Sequence, residues 1–248
     1  MTVFSLSDVG QKRTINQDFI YTSNTSIGLL PNLFLVADGM GGHKAGDFAS
    51  RKTVEIMVEE IEGNSKESPV VVLREAIEKA NDAIYRLASQ DEDMEGMGTT
   101  LVAASLIGDR LQVANVGDSR LYVIGEEITQ ITVDHSLVEE MVRVGTIDKE
   151  MAKSHPRKNI ITRAVGVMPT IQPDFFTVTI KKGEQVLLCT DGLTNMLEDE
   201  EISKIVKSRG TVEEKVKALV AEANRRGGKD NISVVLLDPA FEQNGERI

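Results

Sequence analysis

The sequence predicts an α+β fold in which antiparallel sheets carry helices on their outer faces. The first observation is a recurring pattern: short apolar runs that end on Asp or Gly, as buried strands do. Leu33-Phe34-Leu35-Val36-Ala37 meets Asp38-Gly39, Leu111-Gln112-Val113-Ala114-Asn115-Val116 meets Gly117-Asp118, and Val186-Leu187-Leu188-Cys189-Thr190 meets Asp191-Gly192. Asp230-Asn231 opens a last such run over 232–237. The second observation is that helical segments are grouped, not alternated with strands as a parallel α/β sheet requires. The third is the absence of any repeat, low-complexity tract or long linker in 248 residues that are 41% hydrophobic, enough for a sizeable core.

In chain order, 3–8 reads as a strand that runs into a loop at Gly10. After the strand at 33–37, residues 45–61 form a helix whose apolar stripe includes Ala45, Phe48, Ala49, Ile56, Met57 and Ile61, ended by Gly63-Asn64-Ser65. Residues 69–90 form a second long helix, with Leu73, Ile77, Ala80, Ile84 and Leu87 on one face. Gly96-Met97-Gly98-Thr99-Thr100 is a turn into a hairpin, 101–106 with 111–116, closed at Gly108-Asp109. Residues 120–124 and 128–132 form another hairpin around Gly125. Short helices at 136–144 and 148–154, split by Gly145, and the polar stretch after Pro156 interrupt the strands and mark a candidate mobile flap over 136–165. Strands resume at 174–180 and 185–190. One or two helices follow. Thr211-Val212-Glu213-Glu214 fits a capping box, Val216, Leu219, Val220 and Ala223 keep helical spacing, and Gly227-Gly228 ends the helix. This organisation reads as one domain over 1–240 with a polar tail at 241–248.

Asp+Glu 39 against Lys+Arg 28 gives a net charge of −11, which disfavours nucleic acid because that ligand needs basic patches. A phosphorylated substrate remains compatible, since bound metal reverses the local field. A single cysteine excludes an intrachain disulfide, the N-terminus lacks signal-peptide character, and no apolar run reaches the ~20 residues that span a bilayer. The expectation is a cytoplasmic protein without direct membrane insertion.

Aspartates at the edges of several strands stand where core meets solvent, and can converge on a shared cation. Hard ions such as Mg²⁺ and Mn²⁺ prefer carboxylates, carbonyls and water. Two such ions activate a water, orient a phosphoryl group and offset charge in an in-line displacement. Asp38, Asp118, Asp191 and Asp230 meet the need, and the Gly39 carbonyl can add a ligand. Any one Asp-Gly is an ordinary turn former; the set beside the glycine-rich Asp38-Gly39-Met40-Gly41-Gly42-His43 is not.

Arg13-Thr14-Ile15-Asn16-Gln17-Asp18, Val36-Ala37-Asp38-Gly39-Met40-Gly41-Gly42-His43, Gly96-Met97-Gly98-Thr99-Thr100, Val116-Gly117-Asp118-Ser119-Arg120, Asp134-His135-Ser136, Thr190-Asp191-Gly192-Leu193 and Gly228-Lys229-Asp230-Asn231-Ile232 follow in this order. With these segments the chain resembles, over nearly its whole length, a bacterial member of the metal-dependent Ser/Thr protein phosphatase family (PPM, type 2C). The resemblance implies a four-layer αββα sandwich with a helical flap insert. It implies one metal held by Asp38, Asp191 and Asp230, a second shared by Asp38 and the Gly39 carbonyl, and a third at Asp118 and Asp191. Arg13 matches the phosphate-binding arginine, a role its planar fork suits, and Asp18 an acidic residue that hydrogen-bonds metal-bound water. The implied reaction is hydrolysis of phosphoserine and phosphothreonine by direct attack of water activated by Mn²⁺ or Mg²⁺. The implied partners are phosphorylated proteins, among them a transmembrane Ser/Thr kinase and its substrates, met by a monomeric enzyme.

Two positions depart from the eukaryotic pattern: Gln17 replaces a glutamate and Met40 a histidine proposed as general acid. His43 is a candidate for that acid; it also reads as a loop residue ordering the glycine-rich turn, with a metal-bound water as the proton donor. His135 and His155 read as structural or as part of the flap, where Arg157 and Lys158 either meet substrates or are solvated. Cys189 sits inside an apolar run, and Asn195 occupies the place where a cysteine phosphatase needs arginine, so a core thiol is expected. Met40 and Leu193 occupy the places where an aspartyl-phosphate mechanism needs a second Asp. A non-catalytic binding module would lack part of the carboxylate set, and a nuclease would want basic runs; the chain shows neither trait.

Overall fold

The computed structural model describes residues 1–42, 45–65 and 68–239. Its strands are β1 (Thr2–Asp8), β2 (Asp18–Ser23), β3 (Leu33–Met40), β4 (Gly98–Thr99), β5 (Leu101–Ile107), β6 (Arg110–Val116), β7 (Arg120–Ile124), β8 (Ile128–Gln130), β9 (Asp174–Thr179), β10 (Gln185–Cys189) and β11 (Ile232–Asp238). Its α-helices are α1 (Ala45–Gly63), α2 (Pro69–Gln90), α3 (Leu137–Arg143), α4 (Lys149–Ser154), α5 (Asp191–Thr194), α6 (Asp199–Val206) and α7 (Val212–Arg225). One sheet has the order β1-β11-β10-β7-β8; the other has β2-β3-β5-β6-β9, with β4 added alongside β3. The named pairings are antiparallel.

Side-chain alternation along each strand builds the layers. On β3, Phe34 and Val36 face inward with Val102, Val113, Leu188 and Val235, filling the space between the sheets. Leu33, Leu35 and Ala37 of the same strand face outward onto Met57 and Ile61 of α1 and Leu73 and Ile77 of α2. On the other sheet, Leu187, Cys189, Val234 and Leu236 face outward onto Ile202 of α6 and Val216, Leu219 and Ala223 of α7. The result is the four-layer αββα sandwich. The central strands β3, β5, β10 and β11 are buried along most of their length because both faces of each are covered.

The β5–β6 hairpin turns at Gly108-Asp109 as expected, with Gly108 at φ +64°. The capping box of α7 is formed: Thr211 Oγ1 accepts the Glu214 amide and Glu214 accepts the Thr211 amide. Two strands are new. β2 is an edge strand that pairs only with β3, and most of it is part-exposed, so it lacks the continuous apolar run of the buried strands. β4 lies in the expected turn and exists through long-range pairing with Gly39 and Met40. The hairpin strand read over 128–132 stops at Gln130. The tail at 241–248 lies outside the described residues. Among the described residues no helix is long and apolar enough to cross a membrane.

Candidate active site

Antiparallel pairing sets the end of one strand against the start of the next, which collects the strand-edge aspartates at one end of the sandwich. Asp18 opens β2 and stands in register with Asp38 near the end of β3. Asp118 lies in the turn between β6 and β7; Asp191 follows β10 and starts α5; Asp230 precedes β11. β10 and β11 are paired, and the Thr190 amide donates to the Ser233 carbonyl at 3.1 Å, which sets the Asp191 and Asp230 turns side by side.

Each carboxylate rests on a hydrogen-bonded support. The Asp38 carbonyl accepts from the Thr100 amide and the Thr99 hydroxyl, both at 2.9 Å, while the Asp38 amide donates to Thr100 Oγ1 at 3.0 Å. Thr100 Oγ1 meets Ser119 Oγ at 2.7 Å, tying this support to the Asp118 turn. Gly39 lies so close to α1 that a Cβ there would stand 2.0 Å from the Gly46 carbonyl oxygen. Thr190 Oγ1 donates to Asp18 Oδ2 at 2.9 Å and accepts the Ser233 amide at 3.0 Å. Asn195 Nδ2 donates to Asp191 Oδ2 at 2.9 Å, and Asn195 Oδ1 accepts from Lys158 Nζ at 3.0 Å.

The Arg13 loop is stitched to the Asp230 turn. Gln11 and Lys12 amides donate to the Gly228 carbonyl. Asn231 accepts the Gln17 amide at 2.8 Å and donates to the Val9 and Ile15 carbonyls at 2.9 and 3.0 Å. Arg13 Nη2 donates to Asp230 Oδ2 at 2.8 Å, with the Arg13 side chain 51% exposed. That single contact leaves most of its fork of N–H donors for an anion.

The crowding of like charges shows in the acid–base behaviour of the cluster. Burial, then the fields of Asp18, Asp191, Asp118 and Asp230, push the Asp38 carboxyl well above its ordinary range. Burial pushes Asp18 up to about 7, and Asp118 to about 8 with Asp191 adding repulsion. Asp191 rises to about 6, through burial and Asp230. Among the described residues, two carboxylate oxygens, Asp18 Oδ1 and Asp191 Oδ1, are buried with no hydrogen-bond partner. Buried carboxylate oxygens that repel one another and find no protein donor are what a cation satisfies, so the donor set fits hard divalent ions. Among the described residues no three or more of these side chains are closed around one ion position.

Thus Asp18, Asp38, Asp118, Asp191, Asp230 and Arg13 come together, with Gly39 beside Asp38. His43 lies outside the described residues. His135 is structural: Nδ1 accepts the Gly117 amide at 3.0 Å and Nε2 meets Asp174 at 3.1 Å. His155 accepts the Arg157 amide within the flap. Cys189 is buried, and burial pushes its thiol up to about 12, the behaviour of a core thiol. The supporting roles of Thr99, Thr100, Thr190, Asn195 and Asn231 were missed in the sequence. Thr190 and Asn231 had the signal of adjacency to an Asp, which says nothing about which groups a side chain will reach; Thr99, Thr100 and Asn195 lacked even that.

A protein-family model described as Protein phosphatase 2C matches residues 10–236. The chain is 43% identical over 218 residues to Serine/threonine phosphatase stp of Listeria monocytogenes, covering 86% of each. The fold superposes on the S. agalactiae serine/threonine phosphatase with a TM-score of 0.88 and 38% identity, covering 95% of this chain and 98% of that one. It also superposes on the catalytic domain of the serine threonine protein phosphatase PstP in complex with 2 manganese ions, with a TM-score of 0.83 and 33% identity over 95% and 96% of the two chains.

Proposed function

The chain belongs to the protein phosphatase 2C family, and on that premise we propose how its own residues carry out the hydrolysis of phosphoserine and phosphothreonine in proteins. The enzyme is a protein serine/threonine phosphatase that works with two Mn²⁺ or Mg²⁺ ions. When bound, such ions supply Lewis acidity and an activated water for in-line displacement at phosphorus. Asp38, Asp191 and Asp230 would hold one ion, Asp38 and the Gly39 carbonyl the other, and Asp118 with Asp191 a third. The observation that carries this reading is the convergence of these carboxylates, with buried oxygens unsatisfied, beside an arginine whose fork is open.

Arg13 binds and orients the phosphate through paired N–H donors. Asp18, fixed by Thr190, stands behind Asp38 and accepts a hydrogen bond from the attacking water. Asn195 holds Asp191 by one oxygen and leaves the other toward the cluster. His43 is a candidate for the proton donor to the departing serine or threonine oxygen, the alternative being a metal-bound water. Residues 1–240 constitute the catalytic domain, a cytoplasmic monomer that opposes a transmembrane Ser/Thr kinase by removing the phosphates it installs.

The test is phosphate release from a phosphothreonine peptide with EDTA, Mg²⁺ or Mn²⁺. Activity is expected only with metal, and is expected to vanish in Asp191→Ala while the circular dichroism spectrum stays native. Release that persists in EDTA, or full activity in Asp191→Ala, would remove the carboxylates from the mechanism.

A further inference from the structure

We infer that an apolar subsite beside the carboxylate cluster receives the side chain of an apolar residue adjacent to the phosphorylated serine or threonine of the substrate. The inference rests on the phosphoprotein phosphatase reading above. A cavity of about 250 Å³ lies between Met40 and the segment that leaves the flap; its apolar side is Met40, Ile161, Ala164, Val167, Met168 and Ile171, and the polar Thr162, Arg163, Thr170 and Gln172 line the rest. Met40 is two residues beyond Asp38 on β3, so both side chains leave the strand on the same face. That spacing is about 7 Å, within reach of the neighbouring side chain on an extended peptide.

Gly98 shapes the wall of the subsite. A Cβ there would lie 2.7 Å from Val167 Cγ2 and 2.8 Å from Met40 Cε, so these side chains close over the glycine as one apolar surface. The backbone beneath Val167 and Met168 is clamped. Val165 exchanges hydrogen bonds with Thr99 at 2.9 and 3.1 Å. Buried Asn81 accepts the Gly166 amide at 2.9 Å and donates to the Met168 carbonyl at 3.0 Å. Gly166 has φ +88°, and a Cβ on it would meet Ile84 Cγ2 at 2.1 Å. On this fixed support Val167 is 40% and Met168 62% exposed. Both side chains are thus held at the mouth of the cavity by a fixed backbone.

The chemistry of the occupant follows from the lining. The charged group at the cavity, Arg163, is already engaged by Asp174 Oδ1 at 2.9 Å and the Gln172 carbonyl at 2.7 Å. The flap cation Lys158 does not line the cavity and is held by Asn195 on the Asp191 side. A volume of about 250 Å³ lies below the ~300–1,000 Å³ of small-molecule pockets, and suits one aliphatic or aromatic side chain.

The test uses the whole chain with Mn²⁺ and phosphothreonine peptides that differ only in the flanking residues: Leu, Ala, Lys or Glu. For the native chain kcat/KM is expected to favour Leu over Ala by about tenfold. In Val167→Ser/Met168→Ser the Leu-to-Ala ratio is expected to fall toward one. A ratio taken within one protein does not change with the fraction that is folded. Met168→Glu is expected to shift preference toward the Lys peptide. Equal kcat/KM across the set, or a ratio untouched by the double substitution, would overturn the subsite and leave the phosphatase reading intact. Hydrolysis of para-nitrophenyl phosphate without release from any phosphopeptide would overturn the phosphoprotein reading and the subsite with it.

Discussion

Asn231 holds more of the active site in place than its position beside a carboxylate suggests. It is buried, at 4% exposure, and its side chain reaches Val9, Ile15 and Gln17, so it fixes both ends of the loop that displays Arg13. Asn231→Ala leaves these backbone groups unpaired, at about 1–3 kcal/mol for each one that stays buried without water. The expected outcome is a melting temperature lower by about 5 °C or more, at ~2–4 °C per kcal/mol for a chain of this size, together with a raised KM for para-nitrophenyl phosphate. An unchanged KM in folded Asn231→Ala would show that the Arg13 loop is positioned by other contacts. Asp38, Asp118, Asp191 and Asp230 were legible as residues, because Asp at the edge of an apolar run is a local pattern, whereas Asp18 and Arg13 were reached through the family resemblance. The partners of Asn231 were not legible, because Val9 and Ile15 lie more than two hundred positions away and meet it only once β1 pairs with β11.

At the scale of elements, legibility followed burial. The buried strands β3, β6, β10 and β11 announce themselves by mainly apolar runs bounded by Asp or Gly, and α7 by its cap and spacing. The edge strand β2 and the two-residue β4 carry no such signal, since one is part-exposed and the other exists only through contact with Gly39 and Met40. α7 also gives a simple stability test. Thr211→Ala removes the hydroxyl that accepts the Glu214 amide, and the loss of an N-cap costs about 1 kcal/mol. The expected shift is a melting temperature lower by ~2–4 °C with phosphatase activity at 25 °C unaltered, because α7 packs on the outer face of its sheet. A shift within error of zero would mean that packing of Val216, Leu219 and Ala223 alone sets the start of the helix.

For the whole molecule, the carboxylate cluster makes stability depend on pH and metal together. A carboxyl whose folded pKa lies above its ordinary 3.8 contributes stability that is complete below that value and is lost as pH rises through the folded pKa. That loss begins near 3.8 and is complete above about 6 for Asp191, about 7 for Asp18 and about 8 for Asp118, so Asp18 and Asp118 carry what remains of it above pH 6. His135 acts with the opposite sign: burial lowers its pKa below 6.5, so its contribution is complete above that value. In EDTA the melting temperature is therefore expected to fall from pH 6 to pH 8, and with Mn²⁺ the fall is expected to disappear. A melting temperature that climbs across that window without metal would contradict the account. The layer architecture adds a further consequence. Asp38 belongs to one sheet, while Asp191 and Asp230 flank strands of the other, so an ion held by all three rivets the two halves of the sandwich at one end. Removing the metal would then loosen that rivet and expose the chain to proteolysis, so that metal supply would govern how long the molecule lasts as well as how fast it turns over.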